Sequence, residues 1–129
     1  MDIDELTLNN ELVNTPKSKL RRRILSIWEV MNECIENGLK TEGILDGGLN
    51  VKRRASKIYK QLMKSRKKDP LKVMDFIDVY AMAVNEENSS AGRVVTAPTN
   101  GASGVIPAVI KYAFKFINDF NEESLVRFL

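Results

Sequence analysis

Apolar residues recur along most of this chain at the three- and four-residue spacing of a helix face, and strict alternation is almost absent. Ile3, Leu6, Leu8, Leu12 and Val13 give a weak form of that pattern over residues 3–13. Thr15-Pro16 then reads as an N-cap followed by proline at the first helical position. Leu20, Ile24, Ile27, Trp28, Met31 and Ile35 mark one face of a helix of about five to six turns. Gly38 is its expected stop.

Residues 41–50, TEGILDGGLN, hold three glycines and predict a loop. A basic helix follows, with Val51, Ala55, Ile58, Tyr59, Leu62 and Met63 on one face. Asp69-Pro70 repeats the cap-plus-proline device and opens a helix whose expected inner face is Val73, Met74, Ile77, Tyr80, Ala81 and Val84. Asn85 and Asn88 continue that face, so the stripe ends in amides. In residues 89–104, SSAGRVVTAPTNGASG, only Val94-Val95-Thr96 has strand character. Ser103 is positioned to cap the next helix, which would leave Pro107 in the first turn, where its missing N–H matters little. Val109, Tyr112, Ala113, Phe116 and Ile117 form that helix's expected inner face. Asn121 then caps a last helix bearing Leu125, Val126, Phe128 and Leu129, and this apolar ending reads as a cut through a helix. No repeat or low-complexity segment stands out. The pattern predicts an all-α fold of five to six helices with a glycine- and threonine-rich loop, in one domain spanning residues 1–129.

Composition narrows the function. A length of 129 residues with 43% apolar and 29% charged residues fits one soluble domain. No apolar run approaches the roughly 18 residues of a membrane span. The acidic start MDIDELTLNN is unlike a secretory signal, which gives a cytoplasmic expectation. With a single cysteine, Cys34, the chain excludes an internal disulfide and a cysteine-built metal site of its own. With no histidine it lacks the usual base near neutral pH. These features suit a helper, fragment or subunit better than a self-sufficient enzyme. The net charge of +3 is uneven: residues 51–68 carry nine Lys or Arg and no acid, while the other 111 residues carry a net of −6.

Two segments have chemical potential. Residues 85–104 end a helix in amides and carboxylates, cross a glycine-rich loop and start a new helix. Backbone N–H groups at that start would suit a carboxylate or phosphate, with Thr96, Thr99, Asn100 and Ser103 adding donors. A purely structural turn is the competing reading, since Gly, Thr, Pro and Asn are general turn formers. The loop is no P-loop, because no Lys-Ser/Thr pair follows its glycines. Residues 41–55 deliver Arg53 and Arg54 into a helix start, where an arginine pair can clamp a carboxylate or form a solvated basic face. The basic segment 51–68 also admits a nucleic-acid-binding module. The acidic remainder, and Tyr59 as its only stacking residue, argue against that.

At these segments the residues become distinctive. Residues 83–88 (AVNEEN), 92–102 (GRVVTAPTNGA) and 104–109 (GVIPAV) closely resemble the iron–sulfur-dependent bacterial L-serine dehydratases, the L-serine ammonia-lyases. So does Glu42-Gly43-Ile44-Leu45 with Gly47, Leu49, Val51 and Arg53-Arg54-Ala55. The resemblance covers nearly the whole chain and corresponds to the first part of the family's helical α domain. It implies α,β-elimination of L-serine to pyruvate and ammonia, without pyridoxal phosphate. It implies a [4Fe–4S] cluster held by three cysteines, one iron being open to the serine hydroxyl or carboxylate. The loop would place Thr96, Thr99, Asn100 and Gly101 around the substrate carboxylate. Asn85, Glu86 and Asn88 would lie near its ammonium or support the loop.

The family's cluster cysteines lie downstream of the TAPTNGA-type loop, and Cys34 matches none of them. Asp46 and Gly48 stand where many relatives have proline, which loosens that loop. The expectation is therefore an incomplete α domain, inactive alone: a gene fragment, a truncated product or one piece of a split subunit. Its expected partners are L-serine, the rest of the α domain and a β domain or subunit. The alternative is a non-catalytic helical subunit or nucleic-acid-binding module.

Overall fold

The computed structural model describes residues 2–65, 69 and 71–129. Among them are six helices: α1 Ile3–Leu12, α2 Lys17–Lys40, α3 Ala55–Lys64, α4 Lys72–Ser89, α5 Asn100–Phe116 and α6 Glu122–Phe128. No strand is present among the described residues; an isolated antiparallel bridge joins Ile44 and Lys52. The fold is all-α.

The centre is α4. It packs along α5 most extensively and also against α2 and α3. Ile35, Tyr80, Val79, Ala83 and Ala108 are sealed in the core these four helices share. Each large aliphatic chain buried this way contributes about 1.5–3 kcal/mol. A second core joins α2, α5 and α6 through Met31, Ile110 and Leu125. Val94 packs on the first core and Val95 on the second. Extended backbone sends successive side chains to opposite sides, so the segment expected to have strand character pins two cores without pairing. In contrast, α1 buries no residue; Asp4 ties it to α6 through Arg127 at 2.7 Å. That guanidinium holds the Asp4 carboxyl below its usual range.

Several boundaries differ from the expectation. Gly38 does not stop α2, which runs on to Lys40. It is instead a contact point: a Cβ there would sit 2.4 Å from the Ala83 carbonyl oxygen. Pro16, not Thr15, is the N-cap of α2, with no side-chain capping bond. The basic helix starts at Ala55, leaving Val51 exposed before it. Pro70 lies outside the described residues; beside it the Asp69 carboxylate accepts the Leu71 N–H at 2.9 Å. On α4, Val73 and Met74 are exposed, and the fully buried face is Phe76, Val79, Tyr80, Ala83 and Val84. Because α4 is wrapped by three helices, its apolar stripe is too broad for periodicity to fix the register.

Thr99, not Ser103, caps α5: its Oγ1 accepts the Ala102 N–H at 3.1 Å. The helix therefore begins one turn earlier than expected, and Pro107 falls inside it. Buried in the core, Pro107 leaves the Ser103 carbonyl without its helical donor. The buried face of α5 is Ser103, Gly104, Pro107, Ala108, Ile110 and Ala113, while Phe116 and Ile117 are exposed. Asn121 caps α6 as expected, accepting from Glu123 and Ser124 N–H at 2.9 and 3.1 Å.

Candidate functional site

The end of α4 and the start of α5 meet at a cluster of amides. Asn88 Nδ2 donates to Asn100 Oδ1 at 2.9 Å. Asn85 lies one turn before Asn88, and its Oδ1 is buried with no hydrogen-bond partner among the described residues. Gly104 lets the helices close there: a Cβ on it would meet Asn85 Oδ1 and the Ala81 carbonyl oxygen, both at 3.2 Å. A buried amide oxygen without a donor is costly, and it offers an acceptor to a ligand N–H.

Beside it the α5 N-terminus is open. Ala102 N–H is taken by Thr99 and Ser103 N–H by the Thr99 carbonyl. The N–H groups of Asn100 and Gly101 have no acceptor among the described residues. They open a 17-residue helix, whose dipole favours an anion there. Thr96, Thr99, Asn100 and Gly101 are all exposed. The bend is thus open to solvent.

The connecting loop leaves α4 through Ser90, with Ala91 at φ +56°. Gly92 then folds back, its N–H donating to the Glu87 carbonyl at 2.8 Å. A Cβ on Gly92 would sit 2.9 Å from that oxygen, so the turn demands glycine.

Glu86 goes elsewhere than expected. It is 5% exposed, and its carboxylate accepts the N–H groups of Arg54 and Ala55 at 2.7 and 3.3 Å. It therefore caps α3, complementing that helix's positive end. The expectation set it near the ammonium or in support of the loop; here its carboxylate is engaged by the backbone at the start of α3. Arg53 is likewise committed: its Nη1 lies 2.7 Å from Glu87 Oε1, with both side chains largely buried. Glu86 and Glu87 together lash the 41–54 loop to the end of α4. Nothing in a single sequence pairs Glu87 with an arginine 34 positions away. Arg54 keeps an exposed guanidinium on a cleft of about 480 Å³ that Asn85, Glu86, Ser89 and Asp78 also line. Of the basic segment, Lys60 pairs with Glu42, lowering that carboxyl's pKa; residues 66–68 lie outside the described residues.

The chain matches the serine dehydratase alpha chain family over residues 1–129. It belongs to that family. L-serine dehydratase 2 of Escherichia coli (strain K12) is 47% identical over 131 residues, covering 100% of this chain and 29% of the relative. L-serine dehydratase of Streptomyces coelicolor is 46% identical over 129 residues, covering 100% of this chain and 28% of the relative. L-serine dehydratase of Helicobacter pylori is 43% identical over 123 residues, covering 86% of this chain and 26% of the relative. The chain spans under a third of the length of these curated relatives.

The residues of this chain do not fit a [4Fe–4S] cluster by themselves. Such a cluster takes several thiolates, and the chain has one cysteine. Cys34 is 3% exposed in the first core. Burial, with a smaller effect of the Glu87 charge, pushes its thiol up to about 11. It stays protonated near neutral pH, and thiolates are the ligands iron needs. Among the described residues, no three His, Cys, Asp or Glu side chains converge on a metal site.

Proposed function

We propose that this chain supplies the substrate-holding part of an L-serine dehydratase, a carbon–oxygen lyase that converts L-serine to pyruvate and ammonia. The observation that carries the reading is the pairing of an unpartnered amide oxygen on Asn85 with an open helix N-terminus, tied together by the Asn88–Asn100 hydrogen bond. That pair suits a zwitterion. The α5 N-terminus takes the carboxylate through the Asn100 and Gly101 N–H groups, with Thr96 and Thr99 beside them. Asn85 Oδ1 accepts from the ammonium, and Asn88 fixes Asn100 in place. Held at both ends, serine presents its α-proton and hydroxyl in one fixed orientation, which is the main gain from such a site.

The iron–sulfur chemistry implied by the family resemblance is not assigned to any residue of this chain. We place the cluster ligands in polypeptide outside these 129 residues, as a further stretch of α domain or a partner subunit. No helix among the described residues is long and apolar enough to cross a membrane, and a cytoplasmic setting fits the proposed chemistry.

The test is a chimera in which these 129 residues replace the matching segment of L-serine dehydratase 2. It is expected to form pyruvate from L-serine. Asn100→Ala in that chimera is expected to lower kcat/KM about 100-fold, as loss of an oriented polar contact does. Unchanged kinetics in Asn100→Ala would remove the amide from the site.

A further inference from the structure

Away from the amide cluster, one pocket collects charge and ring faces that the fold leaves unmatched. It lies between α2, α3 and α5, has a volume of about 410 Å³, and is lined by Trp28, Asn32, Glu36, Tyr59, Lys111 and Lys115, with Phe114 also on its wall. The indole of Trp28 stacks on Phe114 with ring centroids 5.3 Å apart. Pockets of this size hold small organic ligands.

Lys111 and Lys115 stand four residues apart on α5 and have different surroundings. Lys111 Nζ donates to Glu36 Oε1 at 2.7 Å and to Asn32 Oδ1 at 2.6 Å. Glu36 is shared further with Lys40 at 3.7 Å. Its carboxyl is held below the usual range, chiefly by the Lys111 hydrogen bond. Lys115 has no such partner. Its Nζ lies 5.2–5.4 Å from the ring centroids of Tyr59, Phe76 and Phe116 and donates to Tyr59 Oη at 3.0 Å. No carboxylate among the described residues comes within ion-pair distance of it. The pocket therefore has one ammonium in excess.

A second observation concerns Tyr80, whose ring centroid lies 6.1 Å from that of the pocket residue Tyr59. Tyr80 is 0% exposed, and its hydroxyl has no hydrogen-bond partner among the described residues. Buried hydroxyls are rarely left without a partner.

We propose that this pocket binds a small monocarboxylate with a flat apolar body, the carboxylate held by Lys115 and the body laid against Trp28. One free ammonium matches one negative charge, and a dianion would need Lys111 as well, which Glu36 already neutralises. Trp28, Tyr59 and Phe114 bring three rings to the wall beside Asn32 and Glu36, and a flat ring fits such a wall better than a polyol. The pocket shares no residue with the amide site.

Trp28 is the sole tryptophan, so its emission reports occupancy directly. Benzoate titrated into the chain is expected to change that emission saturably. Lys115→Met, which keeps the side-chain stem on the rings, is expected to weaken the effect at least tenfold with unchanged far-ultraviolet circular dichroism. Benzylamine, with the same ring and the opposite charge, is expected to give no saturable change. Linear, unsaturating quenching by benzoate would overturn the proposal, as would equal saturation by benzylamine. The two probes decide in the unsubstituted chain, whether or not the variant folds.

Discussion

At the scale of single residues, glycine has two unrelated jobs here, and they predict opposite outcomes. Gly38 lies inside a helix, where alanine is intrinsically better by roughly 0.5–1 kcal/mol. Yet its missing Cβ would stand 2.4 Å from backbone of Ala83, which cannot swing aside as a flexible side chain can. Gly38→Ala is expected to lower unfolding free energy by about 2 kcal/mol, the range of an overpacked core. Gly101 also lies in a helix, with nothing within 4 Å of its would-be Cβ. Gly101→Ala is therefore expected to leave stability unchanged or raise it by up to about 1 kcal/mol. Urea unfolding of both variants checks the pair; a neutral Gly38→Ala would mean that α2 and α4 stand further apart. The sequence marks both positions as glycine but separates the two jobs poorly. Helix termination and close packing select the same residue, and only the neighbour distinguishes them.

At the scale of elements, the 41–54 loop depends on α4 for its shape. It contains Gly43, Gly47, Gly48 and Asn50 at positive φ, and its internal bonds are few: Leu45 N–H to the Val51 carbonyl at 2.7 Å and Arg53 N–H to the Gly43 carbonyl at 2.9 Å. The anchor is the Arg53–Glu87 pair, whose side chains are only 6% and 13% exposed. Removing one partner of such a pair strands the other charge away from water. Glu87→Gln is expected to destabilise by about 3 kcal/mol, and the double variant Arg53→Met with Glu87→Gln by clearly less. A loss under about 1 kcal/mol in Glu87→Gln, within the range of exposed ion pairs, would show that the pair is solvated. Helix identities were legible because each helix carries its own periodicity and several carry their own caps, as Asn121 does. The Thr99 cap was hidden by Ser103, an equally good capping residue four positions later. The Glu86 and Glu87 anchors were hidden for another reason: they act across more than 30 residues, where local pattern holds no signal.

At the scale of the whole molecule, recognition and reaction come apart. The groups proposed to hold a zwitterion converge at the α4–α5 junction, and the motif there was readable as a family likeness before its geometry was. The groups that would expel hydroxide do not converge. Glu86 is spent on the α3 N-terminus and Glu87 on Arg53. Cys34 is a neutral core residue, and the chain has no histidine. Elimination needs a base for the α-proton and a Lewis acid or proton donor for the leaving hydroxide; among the described residues, no uncommitted carboxyl, thiol or imidazole stands at the junction for the second task. The purified 129-residue chain, treated anaerobically with iron and sulfide, is accordingly expected to gain no cluster absorbance and to form no pyruvate from L-serine above a protein-free control. The chimera with L-serine dehydratase 2, prepared in parallel, is expected to do both. Pyruvate formation by the chain alone at a rate approaching that of the chimera would overturn this division of labour. It would require an activating group that the amide junction, as folded here, does not present.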